Sequence, residues 1–175
     1  MRSNPNEVSA GARQWRWALP LAAAVVLADV LTKELVQASF DYGERLVVAP
    51  FFNLIFVLNP GAAFSFLADA GGWQKPILLG LGLVVATLLA IMLVRNPMSR
   101  LSAFGFAAVL GGALGNVVDR TRHGAVVDWL DFHLAGWHWP AFNIADIGIT
   151  VGAAALILEA MFVAPRRSVP QGTQR

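Results

Sequence analysis

The amino-acid sequence predicts a mainly α-helical integral membrane protein with four transmembrane helices, both termini cytoplasmic, and a small extracytoplasmic β-sheet. Three observations lead there. Hydrophobic residues make up 57% of the 175 and charged residues only 14%, with a mean hydropathy of +0.59, whereas a soluble domain is about a quarter charged. Four stretches approach the roughly 20 apolar residues that a helix needs to cross the hydrocarbon core. The arginines are spread unevenly around those stretches. The same composition excludes a disordered chain. With no Cys, disulfide scaffolds, thiol nucleophiles, zinc ribbons and iron–sulfur ligation are excluded as well. The net charge of +2 comes from basic residues flanking apolar runs. It lacks the aromatic-interleaved basic patch of a nucleic-acid binder.

The first span is placed at 17–36, although Asp29, Lys33 and Glu34 interrupt its second half. No small-residue cleavage site follows it, so it reads as a permanent anchor. Residues 46–58 (LVVAPFFNLIFVL) are apolar but short, broken by Pro50 and rich in β-branched and aromatic side chains. That composition favours strands, and a small sheet is expected over about 44–58. Spans follow at 73–94, 101–119 and 142–163, with Pro76 in a first turn that tolerates it. Arg2, Arg13 and Arg16 precede the first span, Arg95 and Arg100 separate the second and third, and Arg166, Arg167 and Arg175 follow the fourth. Four spans place all of these on one side, the cytoplasmic one. A further span at 46–68 would carry Arg95, Arg100 and the C-terminal arginines outside. Residues 38–72 and 120–141 are therefore expected to be extracytoplasmic. Within the second of these, 121–139 is expected as a loop or short helix, flanking the chemistry as a lid opposite the sheet. Trp129, Trp137 and Trp139 suit the membrane interface. The ends, 1–14 and 165–175, read as flexible cytoplasmic tails, and no internal repeat is evident.

Ionisable groups inside spans are costly and point to function. Gly112, Asn116 and Arg120 are spaced i, i+4, i+8 at the outer end of the third span, with Asp119 on nearly the same face. A purely structural reading exists: Gly111 and Gly115 form a small-xxx-small packing pattern, and Asp119 orients a neighbouring arginine, Arg120. Asn143 and Asp146 share a face of the fourth span, and Asp146 sits roughly 5–9 Å below its start. Asp128, between valines and Trp129, lies near both helix ends and is the natural partner for Asp146. Two carboxylates held close share one proton. The ionised one takes a proton from water while the protonated one polarises a scissile carbonyl, which is amide hydrolysis without metal or covalent adduct. Asp29 and Lys33 at i, i+4 read as an intrahelical pair. No HExxH occurs, and the irregular spacing of His123, His133 and His138 marks ordinary interfacial histidines. Ser65 lacks a nucleophile elbow. No metal and no cofactor are expected. The alternative is a small non-catalytic transporter or lipid-binding protein with an acidic relay. A transporter would show inverted repeats and midplane charges, whereas these acids cluster at one interface.

Five motifs in order carry a family resemblance. They are Asp29-Val-Leu-Thr-Lys33, Asn59-Pro-Gly61-Ala-Ala-Phe-Ser65, Gly111-Gly112-Ala-Leu-Gly115-Asn116-Val-Val-Asp119-Arg120, Val126-Val127-Asp128 and Phe142-Asn143-Ile-Ala-Asp146. Together they resemble bacterial lipoprotein signal peptidase, the signal peptidase II family of aspartic peptidases, from about Trp17 to Val163. Val30 departs from the polar residue usual there and leaves Asp29 and Lys33 untouched. The resemblance implies an inner-membrane enzyme, a monomer among membrane lipids. It would cut diacylglyceryl-modified prolipoproteins before the lipidated cysteine, with its active site at the extracytoplasmic face. It implies Asp128 and Asp146 as catalytic pair. Asn59, Gly112, Asn116, Arg120 and Asn143 would line the pocket for substrate and for the peptide antibiotic globomycin, and Asp29, Lys33 and Asp119 would form a supporting polar network.

Overall fold

The computed structural model describes residues 14–61 and 71–162. The tails expected at the two ends, Gln14 apart, lie outside them, as does the Ala62–Ser65 part of the second motif. Helices occupy the four apolar stretches: α1 (Trp15–Ser39), α2 (Gln74–Arg95), α3 (Arg100–His123) and α4 (Ile144–Phe162). Among the described residues α2, α3 and α4 are long and apolar enough to cross a membrane. In α1 Asp29 and Lys33 lie on the buried stripe with Ala18, Ala22 and Val36, while Leu27, Leu31 and Leu35 are exposed and Glu34, also exposed, pairs with Arg122.

Helix α3 is the hub, packing most extensively against α4 and then against α1 and α2. Small residues allow this. A Cβ on Gly152 would stand 2.7 Å from the Gly105 carbonyl oxygen, and one on Gly111 would stand 2.7 Å from that of Ala22. Such backbone approach is the usual basis of helix association where lipid removes the hydrophobic drive. Helix α3 begins at Ser99, whose hydroxyl accepts from the Ser102 N–H, and ends at Gly124 with φ of 66°. The left-handed conformation suits glycine there and turns the chain out of the helix.

Directly after that turn the structure departs from expectation. Residues 121–139 are not a loop or short helix. The first part completes α3, Val126–Leu134 is strand β3, and Trp137–His138 is β4. With β1 (Arg45–Ala49) and β2 (Phe52–Asn59) they form one four-stranded antiparallel sheet in the order β1-β2-β3-β4. The β-branched and aromatic side chains of VVDWLDFHL provide the strand preference. The acids at buried positions obscure its alternation. Strands β2 and β3 pair from Phe52↔Phe132 to Asn59↔Val126, with a register shift between Leu54 and Val57, so the segments expected as separate cradle and lid belong to one sheet. The small sheet expected over about 44–58 is present as β1 and β2, and β3 and β4 make it larger than the sequence suggested.

Candidate active site

Three elements converge where α3, α4 and β3 meet. Asn143, the residue before α4, accepts the Asp146 N–H at its side-chain oxygen (2.9 Å). This satisfies one of the orphan N–H groups at the helix start. Asp29 of α1 satisfies another, its Oδ1 accepting from the Ala145 N–H at 2.8 Å. The start of α4 is thus held by two side chains from different parts of the fold. That hold sets where Asp146 sits.

Asn143 also reaches the second carboxylate. Its Nδ2 donates to Asp128 Oδ1 at 2.7 Å and to the Val127 carbonyl at 3.2 Å. Asn59 Nδ2 donates to the other Asp128 oxygen at 3.2 Å. Asn116 Nδ2 donates to Asp146 Oδ1 at 3.0 Å. Asn143 therefore links the Asp128 carboxylate to the Asp146 backbone, and Asn59 and Asn116 flank the two carboxylates. Asp128 is 3% exposed. Burial, and secondarily the charge of Asp146, pushes its carboxyl up from 3.8 to about 7, against the opposing hydrogen bonds of Asn59 and Asn143. At neutral pH it is poised to hold or release a proton.

Behind this pair lies a buried ionic cluster. Lys33 Nζ lies 2.6 Å from Asp29 Oδ2, 2.8 Å from Asp119 Oδ2 and 3.2 Å from Asn116 Oδ1. The intrahelical Asp29–Lys33 contact is as expected from its spacing. The partner of Asp119 is not. Asp119 pairs with Lys33 across helices and accepts the Val127 N–H at 3.0 Å, while Arg120 donates to the Gly61 carbonyl at 3.0 Å. Arg120 thus anchors the chain just past β2, and Asp119 ties α1 and β3 to α3. Sequence adjacency suggested the wrong pairing because successive helical residues point about 100° apart.

A cavity of about 550 Å³ opens beside the pair. Asn59, Asn116, Arg120 and Asp146 line one end, and Leu78, Leu81 and Val85 of α2 with Ile147 and Val151 of α4 line the rest. Asp128 stands just behind Asn59. Gly112 does not reach this wall. It packs against the Ala145 carbonyl and Ile149, too close for any Cβ, and its neighbour Ala113 faces the cavity. Asn143 is fully buried behind the acids. Among the described residues no three His, Asp or Glu side chains converge to hold a metal ion. The double role of Asn143, capping Asp146 and binding Asp128, was not visible from the i, i+3 spacing that singled it out. Nor was the link from Asp29 to α4.

Comparison with known proteins bears on this geometry. The chain matches the family model of signal peptidase (SPase) II over residues 21–162. It is 50% identical over 141 residues to the lipoprotein signal peptidase of Paraburkholderia phymatum, covering 81% of this chain and 85% of that one. It is 52% identical over 141 residues to that of Cupriavidus taiwanensis, covering 81% and 80%. Against that of Cupriavidus pinatubonensis it is 48% identical over 154 residues, covering 88% and 87%. Two solved structures described as bacterial membrane enzymes, determined in meso at 2.3 and 1.9 Å resolution, superpose with TM-scores of 0.74 and 0.72. They are 25% and 27% identical to this chain, covering 87% and 85% of it and 93% and 94% of their own lengths. On the strength of these matches, the chain belongs to the signal peptidase II family.

Proposed function

We propose that this protein is an aspartic endopeptidase that removes the signal peptide from diacylglyceryl-modified prolipoproteins, cutting before the lipidated cysteine. The observation that carries the reading is Asn143 bonded to the Asp128 carboxylate and to the Asp146 N–H beside an otherwise apolar cavity. The apolar walls from α2 and α4 suit acyl chains, and the polar end suits a peptide bond. Asp146 takes a proton from a water molecule, whose oxygen attacks the scissile carbonyl. Asp128, holding the shared proton, delivers it to the carbonyl oxygen. Collapse of the tetrahedral intermediate returns a proton to the leaving amine. Asn59, Asn116 and Asn143 hold the two carboxyl groups in place. Arg120 borders the cavity, and Asp29, Lys33 and Asp119 support it from behind.

The same reading places α1 across the bilayer as a fourth span, with its ionic stripe turned inward. Both termini are then in the cytoplasm of a bacterial inner membrane, and the sheet lies at the outer face. The arginine distribution supports this. Globomycin is expected to compete for the cavity, and the enzyme is expected to work as a monomer. The test is cleavage by the purified protein of a diacylglyceryl-modified prolipoprotein beside its unmodified form. Cutting of the lipidated form alone is the expected result; equal cutting of both would remove the acyl chains from the reading. Reporter fusions after Arg95 and after Phe162 should report cytoplasm, and one at Gly43 the outside. A periplasmic signal at Arg95 would overturn the topology.

A further inference from the structure

A second buried carboxylate on β3 has partners entirely separate from those of the catalytic pair. Asp131 is 3% exposed. Its Oδ2 accepts from Asn53 Nδ2 of β2 at 2.7 Å, its Oδ1 lies 2.7 Å from His138 Nδ1 of β4, and Arg45 Nε of β1 is 3.8 Å away. One side chain on β3 therefore touches all three other strands. Burial alone would raise its pKa, but the bonds from Asn53 and His138, with Arg45 nearby, outweigh that and hold it below the ordinary carboxylate range. It is a fixed anion, unlike Asp128.

What it holds is short. Strand β4 is two residues long, pairing His133↔His138 and Leu134↔Trp137 across a turn with Ala135 and Gly136 at positive φ. So brief a ladder is marginal by itself. The His133 N–H is committed to the Phe51 carbonyl at 2.9 Å, and the rings of His133 and His138 stack at 4.8 Å. The segment that leaves β4 supplies Trp139, Pro140, Ala141 and Phe142 to the wall of the cavity beside the catalytic pair. Trp139 and Phe142 also line a neighbouring aromatic cavity of about 470 Å³. Phe142 is bridged to Leu130 at the far end. At the near end the Trp139 N–H donates to the Phe132 carbonyl at 2.8 Å, directly beside the contacts of β4.

We infer that Asp131 and His138 are positioning residues: together they latch the β4 hairpin so that residues 139–141 form the substrate-binding wall. The inference rests on the peptidase reading. The latch acts on substrate binding and leaves the carboxyl pair alone, since Asp128 and Asp146 are held by other side chains. Releasing it raises KM and spares kcat.

Two variants test this, with the parent protein's cleavage of a diacylglyceryl-modified prolipoprotein as the reference. No cleavage by the parent would defeat the peptidase reading; the latch is judged where the parent cuts. His138→Ala removes a partly exposed ring and is expected to raise KM about tenfold, the usual scale for losing a charge-assisted hydrogen bond, with kcat within about twofold. The paired variant His133→Cys with His138→Cys places two thiols at directly opposed positions of a chain that has no other cysteine. Opposed strand residues lie within disulfide range. Oxidised, it should return KM to near the parent's; reduced, it should show the raised KM. A role confined to stability would lower the folded yield and leave KM unmoved at matched folded protein. An unchanged KM in His138→Ala, or equal KM in the oxidised and reduced pair, overturns the inference.

Discussion

Replacing Asp128 with Asn should make the protein inactive and, at alkaline pH, more stable. The carboxyl is shifted from 3.8 to about 7 by its surroundings, so the folded state disfavours its ionised form. A raised pKa contributes stability that is fully present below the unfolded value and is lost as pH climbs to the folded value. A shift of about three units corresponds to about 4 kcal/mol, of which roughly a third is lost by about pH 5 and most of the rest by about pH 8. The amide of Asn carries no such cost; its one oxygen accepts from Asn59 or from Asn143 but not from both, a loss that is the same at every pH. The stability difference, variant minus parent, should therefore grow by about 3 kcal/mol between about pH 5 and pH 8. The assay is denaturant unfolding of both proteins in the same detergent, followed by tryptophan fluorescence across that range. A difference that stays flat with pH would refute the argument that burial and Asp146 disfavour the ionised form of this carboxyl. It would also remove the physical reason for assigning it the proton.

The same shift predicts that the turnover of the parent enzyme declines as pH rises above about 7, when Asp128 loses its proton; a pH–kcat profile still rising beyond about pH 9 would contradict it. Asp146→Asn should be as inactive as Asp128→Asn, with the double variant little worse, in single-turnover cleavage at matched folded protein. Asp119→Ala strips Lys33 of one carboxylate and the Val127 N–H of its acceptor. It should cost about 3–5 kcal/mol while leaving measurable cleavage in the folded fraction, as read by unfolding and by specific activity. Gly112→Ala should cost at least 1–3 kcal/mol by driving a methyl into the Ala145 carbonyl. Gly80→Ala, with open space around it, should be neutral or slightly stabilising; equal effects at the two sites would show that α3 and α4 are not so closely apposed.

Hydropathy alone located all four helices to within a few residues, because lipid-facing surface demands apolar side chains whatever the neighbours are. Motif order marked Asp128 and Asp146, and the i, i+4 spacing paired Asp29 with Lys33, since both signals are local. The partners of those groups are not local. Asp29 bonds to the Ala145 N–H across 116 residues and Lys33 to Asn116 across 83, distances closed by glycine-lined helix contacts that periodicity cannot reveal. Strand β3 was missed for a related reason. Its acids Asp128 and Asp131 occupy buried positions that in an ordinary strand are apolar, and only their partners Asn59, Asn143, Asn53 and His138 make that burial tolerable. Sequence thus determined which chemical groups are present and which stretches form long apolar helices. Tertiary packing decided which groups touch, because the free energy of a buried polar group depends on the partner that reaches it.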